Sequence, residues 1–376
     1  MSRPRKRPNT RSGKARSLFI GASAGVALFV LVFAFHYGTF SQINYYATDA
    51  FATSTDPVPP IKPVLDTTAY NIKMLALAHV ATSSPWYQAF LLGTTTASTT
   101  IARPSWPVKT VYPNGGALLP FNRIVAYYGN FYSTGMGVLG QYPPDVMLQK
   151  LASTTAQWRA ADPSTPVIPA IHYIVVTAQG SAGADGMYRA EMPDSQVDKA
   201  LALAAQIHGL VFLDFQVGLS TVQKELPQYA KYYALPNVEV GVDPEFSMKD
   251  GAKPGSEIGT LDASDINWVA NYLASIVRAN NIPPKILVVH RFTEEMVTHV
   301  SRIKPLPEVQ IVMDMDGWGS QAKKIGTYTN IVAAEPIQFT GFKLFYKNDL
   351  LPPSTGMLTP AQVLSLTPAP VYIQYQ

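Results

Sequence analysis

The chain reads as an α/β protein of the (β/α)8 barrel type, and three observations lead there. From Arg123 onward, eight short runs rich in Val, Ile, Phe and Tyr alternate with longer amphipathic segments. Such runs have the length and composition of parallel strands buried on both faces. A chain of 376 residues is also long enough for one barrel of roughly 250 residues with extensions.

The predicted strands are Arg123 to Phe131, Pro166 to Val176, Gly209 to Val217 and Val238 to Phe246, then Lys285 to Phe292, Val309 to Gly317, Gly341 to Tyr346 and Val371 to Gln376. Between them, PPDVMLQKLASTTAQWRAA opens on Pro143 and Pro144, which suit a first helical turn. SQVDKALALAAQIHG runs from Ser195 to a stop at Gly209, and STVQKELPQYAKYYA from Ser220 carries Pro227, which should kink or shorten it. SDINWVANYLASIVRANN has Ser264 as its expected N-cap, and TEEMVTHVSRI from Thr293 has acidic residues in its first turn. SQAKKIGTYTNIVAA and TPAQVLSL complete the set. An open doubly wound sheet would want a phosphate-binding glycine turn after its first strand. Gly135 and Gly137 lie in that turn, but YPPDV follows without such a helix start.

Ahead of the expected barrel (residues 121–376) lies an address. Residues 1–16 are basic, and Ser17 to Phe35 contains no charged side chain. About 20 apolar residues cross a bilayer, so residues 17–37 are expected to be a single-pass signal anchor. The cations before it should remain cytoplasmic and leave the barrel extracytoplasmic. A cleaved signal peptide is the competing expectation, although Ala50-Phe51-Ala52 lies far beyond the apolar run. Residues 38–63 form a Pro/Ser/Thr-rich tether. Residues 64–120 form a lead-in with a helix between Asp66 and Ala81, which either packs on the barrel or spaces it from the membrane.

Charge confirms that this terminus stands apart. Seven of the 29 Lys and Arg fall in the first sixteen residues, leaving 22 basic against 25 acidic side chains. No clustered positive surface is left for phosphates, so nucleic acid is excluded as a partner. The absence of cysteine excludes disulfides, thiolate metal sites and thiol nucleophiles. No cofactor is expected. No metal is expected either, since neither an HxH nor an HExxH spacing occurs.

Alternate residues of a barrel strand face the lumen, so parity sorts the side chains. Val238, Val240 and Val242 face helices, which leaves Gly241, Asp243 and Glu245 inward. By the same rule Met313 and Met315 face out while Asp314 and Asp316 face in. Asp214 pairs with Gln216, Ala170 with His172, Val288 with His290, and Gly341 with Lys343. Carboxylates buried in a chain only 14% charged carry a heavy desolvation cost unless they are paired or used. Barrel sites gather at the carboxyl ends of strands. Glu245, Asp214, Asp316 and Asp243 are therefore the catalytic candidates. Asp314 alone is read as a cap or loop ligand. His172, His290, Lys343, Arg291, Gln216, Tyr127, Tyr128 and Trp318 are the candidate binding residues, the aromatics suiting the apolar face of a sugar ring. Two glycine-bearing loops, Thr177 to Asp194 and Ser247 to Ala263, should wall the site.

The segments RIVAYYGNFYSTGMGVLG, FLDFQVG, VGVDPEF, ILVVHRF, MDMDGWG and GFKLFYKND resemble a family of exported bacterial (β/α)8 barrels. That family is glycoside-hydrolase-like and has no settled substrate. The resemblance spans about Pro107 to Gln376 and implies the barrel and a glycan partner. The chain lacks the DxxDxDxE pattern of chitinase-like barrels. It also lacks the Asn-Glu pair and second Glu of the largest retaining clan, offering Lys343 on strand seven instead.

Three functions follow in order. The first is a membrane-anchored glycoside hydrolase of envelope or extracellular polysaccharide, with Glu245 as proton donor and Asp214 or Asp316 as nucleophile or base. The second is a non-catalytic carbohydrate- or wall-binding barrel. The third is a metal-dependent hydrolase drawing His172, His290 and the aspartates from separate strands.

Overall fold

Eight parallel strands close on themselves: β1 (Arg123–Gly129), β2 (Val167–Ala178), β3 (Leu210–Phe215), β4 (Val238–Val242), β5 (Lys285–Arg291), β6 (Val309–Met315), β7 (Phe339–Leu344) and β8 (Tyr372–Tyr375). Each pairs with its neighbour in chain order, and β1 pairs with both β2 and β8, which seals the cylinder. The computed structural model describes residues 63–93 and 105–376. The basic tail, the expected anchor, almost all of the tether and residues 94–104 of the lead-in lie outside those residues. Among the described residues no helix is long and apolar enough to cross a membrane.

All eight predicted strands are present, shortened or shifted by one to four residues at their ends. The helices differ more. Pro144–Ala161, Asp194–Gln206 and Gln321–Thr327 form as expected, the last running into a π turn over Tyr328–Val332. Pro227 breaks its segment into two four-residue helices, Val222–Glu225 and Ala230–Tyr233, joined by a 3-10 turn. Helix Ala263–Asn280 is capped by Asp262, not Ser264, in a reciprocal capping box with Asp265.

The helix expected from Thr293 does not form. Arg291 captures the backbone carbonyls of Thr293 at 3.1 Å and Glu294 at 3.0 Å, which removes acceptors a first helical turn would use. Val297–Thr298 instead pairs with Leu261–Asp262 as a short parallel ribbon.

Two layers of core result. Outside the barrel, the outward-facing set of Val125, Ile171, Leu213, Val240, Val289 and Met313 packs with Trp158 and the helices. Inside, Ile124, Ala126, Ala170, Phe212, Val288 and Val312 fill the lower lumen. The lead-in packs on that lower mouth: Tyr70 and Met74 of helix Thr67–Leu77 join the lumenal cluster. Gln310, fully buried, bonds the Leu119 backbone through both halves of its amide, at 2.7 and 3.1 Å. With its lower mouth plugged, the lumen is left polar at the other end.

Candidate active site

Register builds the polar end. Tyr128 pairs with His172, Asp214 with Gly241, His290 with Asp314, Asp314 with Gly341, and Lys343 with Gln374. All eight strands thereby contribute a side chain or a glycine to the polar end of the barrel. The glycines make room for the acids. A Cβ on Gly241 would stand 2.3 Å from Asp214 Oδ1 and 2.6 Å from His172 Nε2, and one on Gly341 would stand 2.4 Å from Asp314 Oδ1. Gly241→Ala should therefore cost at least about 1–3 kcal/mol, the usual penalty for overpacking, read as a lowered urea midpoint at unchanged slope. A loss below about 0.5 kcal/mol would mean the level is not packed this way.

Asp214 is the hub. Tyr128 Oη donates to its Oδ2 at 3.0 Å, and His290 Nε2 donates to its Oδ1 at 3.2 Å. His172 Nε2 stands 3.1 Å from the same Oδ1 without forming an aligned hydrogen bond. Burial alone would raise the Asp214 carboxyl, but His290 and His172 outweigh it and hold the group well below the usual carboxylate range. Burial likewise disfavours a charged His290, yet the charge of Asp214, the hydrogen bond to it and the nearby carboxylates of Asp314 and Asp316 outweigh it, so its pKa rises and the ring is an imidazolium. Its Nδ1 faces Asp314 Oδ2 at 3.3 Å and Asp316 Oδ2 at 3.4 Å. His172 behaves oppositely. Burial pushes it down to about 4, and its Nδ1 lies 2.6 Å from Tyr372 Oη.

Lys343 closes the level above. Its Nζ lies 2.8 Å from Asp316 Oδ1 and 3.9 Å from the centroid of the Tyr128 ring. Gln216 donates to Tyr128 Oη and to Asp243 Oδ2, each at 3.2 Å. Asp243 is pushed well above its ordinary value, by burial first and by the acids around it.

Glu245 stands one step higher, past the end of β4, in a 3-10 turn over Pro244–Phe246. Asp243 Oδ1 accepts its backbone N–H at 3.1 Å, and Gly259 N–H donates to its carbonyl at 2.7 Å. Phe246 and Met248 exchange backbone hydrogen bonds with Gly218 beyond β3, so the turn is fixed from both sides. Glu245 is half-buried where Asp214, Asp243, Asp314 and Asp316 are buried. Its carboxyl is pushed up to about 7, by burial first and by the Asp316 charge second.

Of the residues chosen from sequence, Asp214, Asp243, Glu245, Asp316, His172, His290, Lys343, Gln216 and Tyr128 are brought together. Three are not. Tyr127 faces the helices, where its hydroxyl meets Thr154 at 2.8 Å and Tyr346 at 3.0 Å. Arg291 also points outward and pairs with Glu335 at 2.6 Å, as its odd parity beside His290 requires. Trp318 lies beyond β6, is 48% exposed, and has Lys323 Nζ 5.1 Å from its ring rather than a lumenal group. Asp314 is lumenal, not a loop cap. Two further members, Tyr372 and Gln374, were passed over, although they alternate with outward-facing Ile373 and Tyr375 and parity would have found them. No metal was expected, yet His172, Asp214 and His290 each offer a ligand atom within 4.8 Å of the others.

No family model matches the chain, and no curated protein matches it. Among solved structures it is similar to the cellulase Cel5C_n, at 12% identity and a TM-score of 0.34 over 59% of this chain and 65% of that one. It is also similar to a 5-methylcytosine deaminase from Klebsiella pneumoniae, liganded with phosphonocytosine, at 13% identity and a TM-score of 0.24 over 55% of this chain and 45% of that one. The chain spans less than two thirds of the length of either.

Proposed function

We propose that this is a membrane-anchored, extracytoplasmic glycoside hydrolase of envelope or extracellular polysaccharide, with Glu245 as general acid and Asp316 as its partner carboxylate. The observation that carries the reading is the contrast between those two groups. Glu245 is half-buried at the polar mouth and holds a proton near neutral pH. Asp316 is buried below it and paired with Lys343 at 2.8 Å. A carboxyl that keeps its proton beside a carboxylate held in an ion pair can divide the labour of glycoside cleavage. Glu245 gives its proton to the leaving oxygen as the glycosidic C–O bond breaks. Asp316 either adds to the anomeric carbon or takes the proton of an attacking water. Asp214 is fully buried, with both oxygens engaged by neighbours, and supports the site through Tyr128 and His290 rather than by touching substrate. The anchor rests on the uncharged run from Ser17 to Phe35 behind seven cations.

The test is release of reducing ends from a panel of bacterial envelope and extracellular glycans by the full-length chain in detergent. Turnover of at least one glycan is expected. Binding without turnover across the panel would turn the assignment to a carbohydrate-binding barrel.

A further inference from the structure

We infer that His172, Asp214 and His290 form a binding site for a divalent transition metal of the zinc class, set in the core beneath Glu245. The inference does not rest on glycoside hydrolysis. It starts from an electrostatic problem. His172 Nε2 and Asp214 Oδ1 lie 3.1 Å apart, both fully buried, with no hydrogen aligned between them. A carboxylate oxygen and an imidazole nitrogen held this close in a dry core call for a proton or a metal cation between them, and no aligned hydrogen bond supplies it.

The geometry fits one. Zinc bonds of about 2.0–2.2 Å in a tetrahedron separate neighbouring donor atoms by roughly 3.3–3.6 Å. Asp214 Oδ1 is 3.1 Å from His172 Nε2 and 3.2 Å from His290 Nε2, slightly inside that edge, and all three atoms lie within 4.8 Å of one another. The two rings are inclined at 64° with centroids 5.5 Å apart, so their Nε2 atoms converge on the carboxylate from different sides.

The surroundings repeat what holds metal-ligating imidazoles. Nδ1 of His290 faces Asp314 and Asp316, and Nδ1 of His172 faces the Tyr372 hydroxyl. A histidine that donates its far ring N–H to a carboxylate or oxygen leaves Nε2 free to ligate. In the metal-free chain a proton on His290 Nε2 bridges to Asp214, and the metal displaces it. Gly241 supplies the space, since a Cβ there would meet both Asp214 Oδ1 and His172 Nε2. Three protein donors, two nitrogens and one oxygen, leave one coordination position for water or a substrate oxygen.

The experiment is metal analysis of the full-length chain, prepared without a histidine tag, as isolated and after Zn2+ or Co2+ titration followed by dialysis. About one metal per chain is expected, with visible Co2+ absorption of a low-coordinate N/O site and a thermal midpoint raised by about 5 °C or more. His172→Ala and Asp214→Asn should each lose the metal, whereas Glu245→Gln should keep it. Because the wild-type readouts stand alone, a variant that fails to fold leaves the test intact. Substoichiometric metal with no Co2+ band in the wild type would overturn the site, and so would full retention by folded His172→Ala and Asp214→Asn. A glycan panel that fails while one metal per chain is found would remove the hydrolase reading and leave the metal site standing.

Discussion

Glu245→Gln leaves the barrel folded and lowers glycan turnover by about 10²–10⁴-fold, the contribution expected of a positioned general acid. The amide is nearly isosteric with the protonated acid and keeps the turn that Asp243 and Gly259 hold through the backbone. What it removes is the transferable proton. In the wild-type chain, activity carried by the acid should be full below neutrality and fall as pH rises through about 7, because Glu245 must arrive protonated. Stability moves the same way. The folded chain holds the Glu245 proton up to about 7, whereas the unfolded chain releases it near the ordinary 4.5. Glu245 therefore favours the folded state fully below 4.5, and that contribution is lost as pH rises through 7. The variant should accordingly be no less stable than wild type at pH 8, even as turnover collapses. A variant that retains turnover within about threefold would remove Glu245 from the acid role.

Much of this site could be read before any coordinates, because the barrel converts sequence parity directly into geometry. Once Val238, Val240 and Val242 are assigned to the helix layer, Asp243 has only the lumen left to face. The same alternation gathers Asp214, His290, Asp316 and Lys343. Tyr127 and Arg291 obey that rule and so face the helices. Tyr127 shares its face with Val125, and Arg291 with Val289. Their polar character suggests the site, but their parity decides where they point. Tyr372 erred the other way, its aromatic character masking a lumenal position. What sequence could not supply was vertical order. Glu245 sits above the cluster because β4 stops at Val242 and Asp243 caps a 3-10 turn, a local hydrogen-bond choice invisible to a period of two. The Thr293 segment failed for a similar reason. Its helical pattern is genuine, but Arg291, two residues upstream at the end of β5, turns its guanidinium onto the segment's carbonyls, a local choice that periodicity does not show.

Lys343→Met destabilises the barrel by about 3–5 kcal/mol, the cost of removing one partner from a buried ion pair. Lys343 and Asp316 are both nearly inaccessible, at 3% and 5% of their side-chain surface, so water cannot replace the lost ammonium. Most of that penalty belongs to the stranded Asp316 charge, and it should shrink in Lys343→Met/Asp316→Asn, where neither charge remains. Urea melts of the four chains in this cycle measure the coupling directly. A single-variant cost below about 1 kcal/mol would mean the pair is solvated. The pair also sets the acid above it, and the two single variants pull that acid in opposite directions. Lys343 lowers the Glu245 pKa and Asp316 raises it. Lys343→Met should therefore move the Glu245 titration above 7, and Asp316→Asn should move it below, as followed by the carbon shift of the Glu245 carboxyl. A merely structural Lys343 would cost stability in the same way but would leave that titration where it stands. Opposed shifts would show that one buried pair both holds the mouth of the barrel together and tunes the proton it delivers.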